Sequence, residues 1–221
     1  MIKIFFITLS VAFLSLNASN LKKANEFLSE NNIQKAIKFY KLSVEDGEDE
    51  ANFQLGKIYY LKKYQQRDLD KAFEYFKKAA DYGHQKAMYN VGVIYSQKRF
   101  KQHNYKRAYN IFLTLAQQDD PKSQYMIGIY LIYGFGIERD YKLAKKWLER
   151  AHFINSYKEA SCGIALIYAQ GFGVIQNLGR ARKFSESFVK TFPLCKKVFY
   201  DFDLFKDKYK EDKGFKTGYY K

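Results

Sequence analysis

Small and apolar residues recur along this chain at one interval. Ala36, Ala72, Ala108, Ala144 and Ala181 stand 36, 36, 36 and 37 residues apart. Three residues after each alanine come Phe39, Tyr75, Ile111, Trp147 and Phe184; one further on come Tyr40, Phe76, Phe112 and Leu148, with Ser185 breaking the series. Spacings of three and four place these side chains on one helical face. Four residues before each alanine is an Asn or Asp: Asn32, Asp68, Asn104, Asp140 and Asn177. A short side-chain oxygen there accepts a hydrogen bond from an orphan N–H of the first turn, so each marks a helix start. The pattern predicts five copies of one amphipathic helix, here helix B.

A second set of columns predicts a partner helix, helix A. Gly56, Gly92 and Gly128 repeat at the same period with Ala165 in the fourth place, and Tyr59, Tyr95, Leu131 and Tyr168 follow three residues later. Glycine inside a helix costs roughly 1 kcal/mol relative to alanine. A close approach of two helix axes offsets that cost, so these columns are expected where helix A crosses helix B. A period of this length implies stacked helix pairs, an all-α solenoid. Such an array offers a long surface to a partner and does not by itself build a catalytic pocket.

The columns resemble Sel1-like repeats, relatives of the tetratricopeptide repeats. The resemblance is carried by Ala51, Leu55, Gly56, Tyr59, Asp68, Lys71, Ala72, Tyr75, Phe76, Ala79 and Ala80. In the third copy it is carried by Gly134-Phe135-Gly136, Asp140, Lys142, Ala144, Lys145 and Trp147. The fourth copy adds Gly171-Phe172-Gly173-Val174, Asn177 and Ala181. It covers about residues 30–188. Copies one and two replace the Gly-x-Gly turn with Lys-rich loops of equal length. The resemblance implies a right-handed superhelix and a non-catalytic scaffold that binds a protein through its concave face.

The ends depart from the repeat. Lys3 precedes a 13-residue apolar run, Ile4 to Leu16, and Leu16-Asn17-Ala18 ends in a small residue. This is the layout of a secretory signal peptide, and the run is short of the ~20 residues that span a bilayer. The expected organisation is a signal peptide over 1–18, a partial repeat over 19–50, four repeats over 51–188, and a capping helix with a frayed tail over 189–221. Export to the periplasm or outside the cell follows for a bacterial protein of this kind. Cys162 lies in the helix A column otherwise held by Phe53, Tyr89 and Tyr125, and Cys195 follows 33 residues later, about one repeat on. In an oxidising compartment the two are candidates for a disulfide clipping the cap to the last repeat. Two free buried thiols are the alternative.

Charge sharpens the expected partner. The chain carries 38 basic and 23 acidic residues, a formal net charge of +15. Most lysines solvate outer faces, but Lys98, Arg99, Lys101, Lys106 and Arg107 fall within ten residues free of acids, interleaved with Phe100 and Tyr105. Lys62, Lys63 and Arg67 stand in the matching loop of copy one. Together they predict a basic ridge that steers an acidic partner: an envelope or secreted protein, an anionic membrane face touched only peripherally, or an acidic cell-wall polymer. Export leaves nucleic acid little opportunity. Glu45, Asp46, Glu48, Asp49 and Glu50 read as a solvated turn.

Little in the chain points to catalysis. His84, His103 and His152 stand at no metal-ligand spacing, and no phosphate-binding glycine loop occurs, so neither metal nor cofactor is expected. Ser187-Phe188-Val189-Lys190 and Lys216-Thr217-Gly218 match two short β-lactamase motifs, yet nothing between them reads as a sheet and Ser-Asp-Asn is missing. Weak β-lactam binding or hydrolysis, by analogy with cysteine-rich Sel1-like proteins, is the alternative function. Those proteins carry a cysteine pair in each repeat, and this chain does not.

Overall fold

The computed structural model describes residues 20–45 and 47–204. The segment expected to be a signal peptide and the tail beyond Leu204 lie outside the described residues. The described residues are helical and contain no strand. Residues 20–29 form α1. There follow α2 (Ile33–Glu45), α3 (Asp49–Tyr60), α4 (Leu69–Asp81), α5 (Gln85–Tyr95), α6 (Tyr105–Gln117) and α7 (Pro121–Tyr133). The series ends with α8 (Tyr141–Glu149), α9 (Ala160–Gln170), α10 (Leu178–Ser185) and α11 (Pro193–Asp201). Helices α3, α5, α7 and α9 are the A helices; α2, α4, α6, α8 and α10 are the B helices.

Local chemistry sets the B helices. The Oδ1 atoms of Asn32, Asp68, Asn104, Asp140 and Asn177 accept from the backbone N–H groups of Lys35, Lys71, Arg107, Leu143 and Arg180 respectively, each three residues on from its own cap, at 2.8–3.3 Å. All five ruler alanines are fully buried. The two aromatic columns divide: Tyr40, Phe76, Phe112 and Leu148 are wholly buried, whereas Phe39, Tyr75, Ile111 and Trp147 are half-buried.

The chain divides into two compact units between His103 and Asn104. In the first, α2 packs on α3, α3 on α4 and α4 on α5. A Cβ at Gly56 would come within 2.5 Å of the Phe76 ring, so the glycine column admits the buried column of helix B. Tyr59 stacks on Tyr75 at 5.7 Å and 4°. His84 begins α5 by accepting from the Ala87 N–H at Nδ1, and its ring stacks on Phe53. Asp49 and Glu50 sit in the first turn of α3, where the helix dipole favours anions; that accounts for part of the acidic run.

In the second unit α7 packs on α6 and α8, and α9 on α8, α10 and α11. A Cβ at Gly128 would meet Leu148 Cγ at 2.5 Å, repeating the Gly56 arrangement. The one interval of 37 has a local cause. Helix α8 runs into a π-turn, Arg150–Ile154, and a π-turn takes up one residue more than an α-turn. Residues of this insert reach back: Arg150 donates to Asp119 at 2.7 Å, and Asn155 donates to the buried Gln124 at 2.8 Å. Gln124 in turn donates to the Ala116 carbonyl and to Asp119, so a buried amide is fully engaged. Cys162 of α9 and Cys195 of α11 are fully buried and joined in a disulfide with a Cα–Cα distance of 4.6 Å.

Candidate interaction surface

The loops joining helix A to helix B hold the exposed chemistry of the chain. In copies one, three and four one hydrogen bond closes them: the N–H of Asp68, Asp140 or Asn177 donates to the carbonyl of Tyr59, Leu131 or Tyr168, at 2.9–3.1 Å. Each closure spans nine positions, whatever the loop sequence. In copies three and four Gly134, Gly136, Gly171 and Gly173 adopt positive φ of 64–72°. Gly136 also lies against α6, where a Cβ would meet the Lys106 backbone nitrogen at 2.6 Å. The intervening phenylalanines stack on the first residue of the B helix before them, Phe135 on Tyr105 at 5.1 Å and Phe172 on Tyr141 at 4.4 Å.

The copy-one loop closes without glycine. A 3-10 turn, Lys62–Tyr64, ends at Gln65, whose φ is 59°. Lys62, Lys63 and Arg67 are exposed. The Lys63 ammonium lies 4.6 Å from the Tyr64 ring centroid. The backbone N–H of Lys71, and then its ammonium, hold the Asp68 carboxyl below the usual carboxylate range.

The copy-two loop closes around a buried ring. Phe100 is 2% exposed and packs on Phe73 at 4.9 Å and Tyr95 at 6.0 Å. It anchors the loop and adds nothing to an exposed basic-aromatic surface. Around it Lys98, Arg99 and Lys101 are exposed. Lys101 Nζ stands 3.9 Å from Asp70 in the first turn of α4, bringing this loop against the helix that follows Arg67. Lys106 and Arg107 are exposed in the first turn of α6, in the second unit. No acid shares that turn, and the dipole there disfavours cations, so helix stability does not account for them.

The other flagged residues fall apart. Ser187 is exposed in a short 3-10 turn, and Lys216-Thr217-Gly218 lies outside the described residues. His84 is 3.4 Å from Glu50, and His152 sits in the π-turn, where burial pushes its imidazole down. Among the described residues no group of three metal-ligating side chains comes together. No described helix is long and apolar enough to cross a membrane. Sequence reasoning missed the Phe100 anchor, the His84 cap and the π-turn. Only the last left a trace, in the 37-residue interval.

Comparison with known proteins agrees with the helix pairs. A family model described as plant tetratrico peptide repeats matches residues 22–120, and the Sel1 repeat model matches 121–151 and 158–187. The gap at 152–157 overlaps the end of the π-turn. No curated protein matches the chain. Among solved structures, a protective antigen of uropathogenic Escherichia coli strains displaying an SLR fold is similar at 19% identity and TM-score 0.69; the match covers 85% of this chain. This chain spans 41% of that antigen's length. A Sel1 repeat protein from Oxalobacter formigenes is 23% identical with TM-score 0.65, over 80% of this chain and 69% of that one. One from Klebsiella pneumoniae is 16% identical with TM-score 0.53, over 85% and 93%. With capped B helices, glycine crossings and, in copies three and four, Gly-x-Gly turns in the same register, residues 121–151 and 158–187 are Sel1-like repeats, and the helix pairs share the fold of Sel1 repeat proteins.

Proposed function

We propose that this protein is a non-catalytic scaffold, exported to the periplasm or beyond, that docks an acidic partner protein through its basic A-to-B loops. The observation that carries the reading is the exposure of Lys62, Lys63, Arg67, Lys98, Arg99 and Lys101 on loops pinned from beneath. Buried Phe100 fixes the copy-two loop, and the Tyr59–Asp68 hydrogen bond fixes the copy-one loop. Bases on a held backbone lose less freedom on binding than bases on a loose one. In the second unit, Lys106 and Arg107 expose two further bases at the start of α6. The Cys162–Cys195 disulfide supports export, because such bonds persist in oxidising compartments.

Crosslinked capture from envelope fractions tests the docking. The combined Lys98→Glu, Arg99→Glu and Lys101→Glu variant should lose at least about tenfold in capture of its partner, and rising salt should weaken the wild type in the same way. Capture indifferent to both changes overturns the reading. Export is checked separately, by fractionating cells and locating the N-terminus of the recovered chain. A start near Ser19 in the envelope fraction is expected.

A further inference from the structure

In three of the A-to-B loops a phenylalanine is seated on the B helix before it: Phe100 by Phe73, Phe135 on Tyr105, Phe172 on Tyr141. The copy-one loop has no such plug. Its aromatic, Tyr64, stacks on no ring among the described residues, and the first residue of the helix before it is Ile33. A groove of about 520 Å³ stays open between the α1–α2 turn and this loop, lined by residues 30–34 and 63–66.

The lining is dominated by carboxamides. Asn31, Gln34 and Gln65 are exposed, Gln66 is half-buried, and their side chains bond to no group among the described residues. Asn32 is already committed to capping α2. Gln65 holds φ 59°, a conformation that copies three and four give to glycine. A glutamine costs more there, and since it is exposed, packing does not require it. One cation, Lys63, and one anion, Glu30, leave the lining with no net charge.

We propose that this groove binds a neutral oligosaccharide. Each carboxamide offers an acceptor oxygen and two donor hydrogens, which matches hydroxyls that both donate and accept. An extended peptide calls for side-chain pockets or a free strand edge, and the groove supplies only Ile33 and Tyr64 as apolar surface. A nucleic acid calls for excess positive charge, which the lining lacks. Tyr64 adds ring surface against which the C–H face of a sugar packs.

The groove shares Lys63 with the docking surface, but the two readings are distinguishable because contacts to neutral hydroxyls are insensitive to salt. The test is NMR titration of the full chain with N-acetylchitotetraose and with maltotetraose. Saturable shifts in the side-chain amides of Asn31, Gln34, Gln65 and Gln66, unchanged at high salt, are expected with at least one of them. The Gln65→Gly, Gln66→Ala double variant keeps the positive φ and removes two carboxamides. It should weaken binding about tenfold or more while its thermal midpoint holds. Absence of saturable shifts with both sugars, equal binding by the double variant, or shifts abolished by salt would overturn the assignment.

Discussion

Gly136 leaves the least room for change. Its φ is 70°, and a Cβ would stand 2.6 Å from the Lys106 backbone nitrogen, an atom that cannot swing away. Gly136→Ala should cost about 2–4 kcal/mol, combining backbone strain with a clash. Gly47 also has positive φ, 87°, but nothing lies within 4 Å of its would-be Cβ. Gly47→Ala should cost only about 1–2 kcal/mol, from the left-handed backbone alone. Urea midpoints of the two variants check the contrast. Asp140→Ala should cost about 1 kcal/mol, the worth of one cap. The caps could be read from sequence because their chemistry spans three residues. Phe100 could not, because its seat is Phe73, 27 positions away.

The π-turn after α8 shows how an element absorbs an irregular interval. The spacing betrayed an extra residue between Ala144 and Ala181, but fixing its location required knowing where the helix could widen without breaking the Arg150–Asp119 and Asn155–Gln124 contacts. Deleting Ile154, which is 55% exposed, should restore the 36-residue interval, turn the π-turn into an α-turn and cost less than about 2 kcal/mol. Deleting Phe112 from α6 should instead unfold the second unit, since every later side chain of that helix would change face. Circular dichroism melts of the two deletions distinguish these outcomes. The same turn carries a pH dependence. Burial lowers the His152 imidazole below the ordinary histidine value of about 6.5, so below about pH 6.5 the unfolded chain binds more protons than the folded one. Stability at this turn is therefore full above that pH and is lost as pH falls through and below it. Protection factors at 150–157, taken against the slower intrinsic exchange at lower pH, should fall between pH 7 and pH 5, and His152→Phe should flatten that response.

For the whole molecule, the fold was legible and the partner was not, for one reason. Helix pairing is repeated, so Ala, Gly and Asx columns confirm one another four or five times over. A binding surface is written once. The carboxamides around Tyr64 are scattered over residues 31–66 and share a groove only after α1, α2 and α3 have packed, so no local pattern marks them. Cys162 and Cys195 fall between these cases: one period apart in sequence, they could be suspected as partners. Replacing both with alanine removes a cross-link closing a loop of about 33 residues and should cost about 3–4 kcal/mol. Calorimetry of oxidised wild type against the double variant measures this.

The location of that bond also dictates when it can form. A chain delivered N-terminus first presents Cys162 well ahead of its partner, and every earlier helix pair can dock before Cys195 arrives. Covalent closure is thus reserved for the last helix. A product that stops short of residue 195 would carry a lone thiol, which gives a quality-control oxidoreductase a direct way to tell finished molecules from truncated ones.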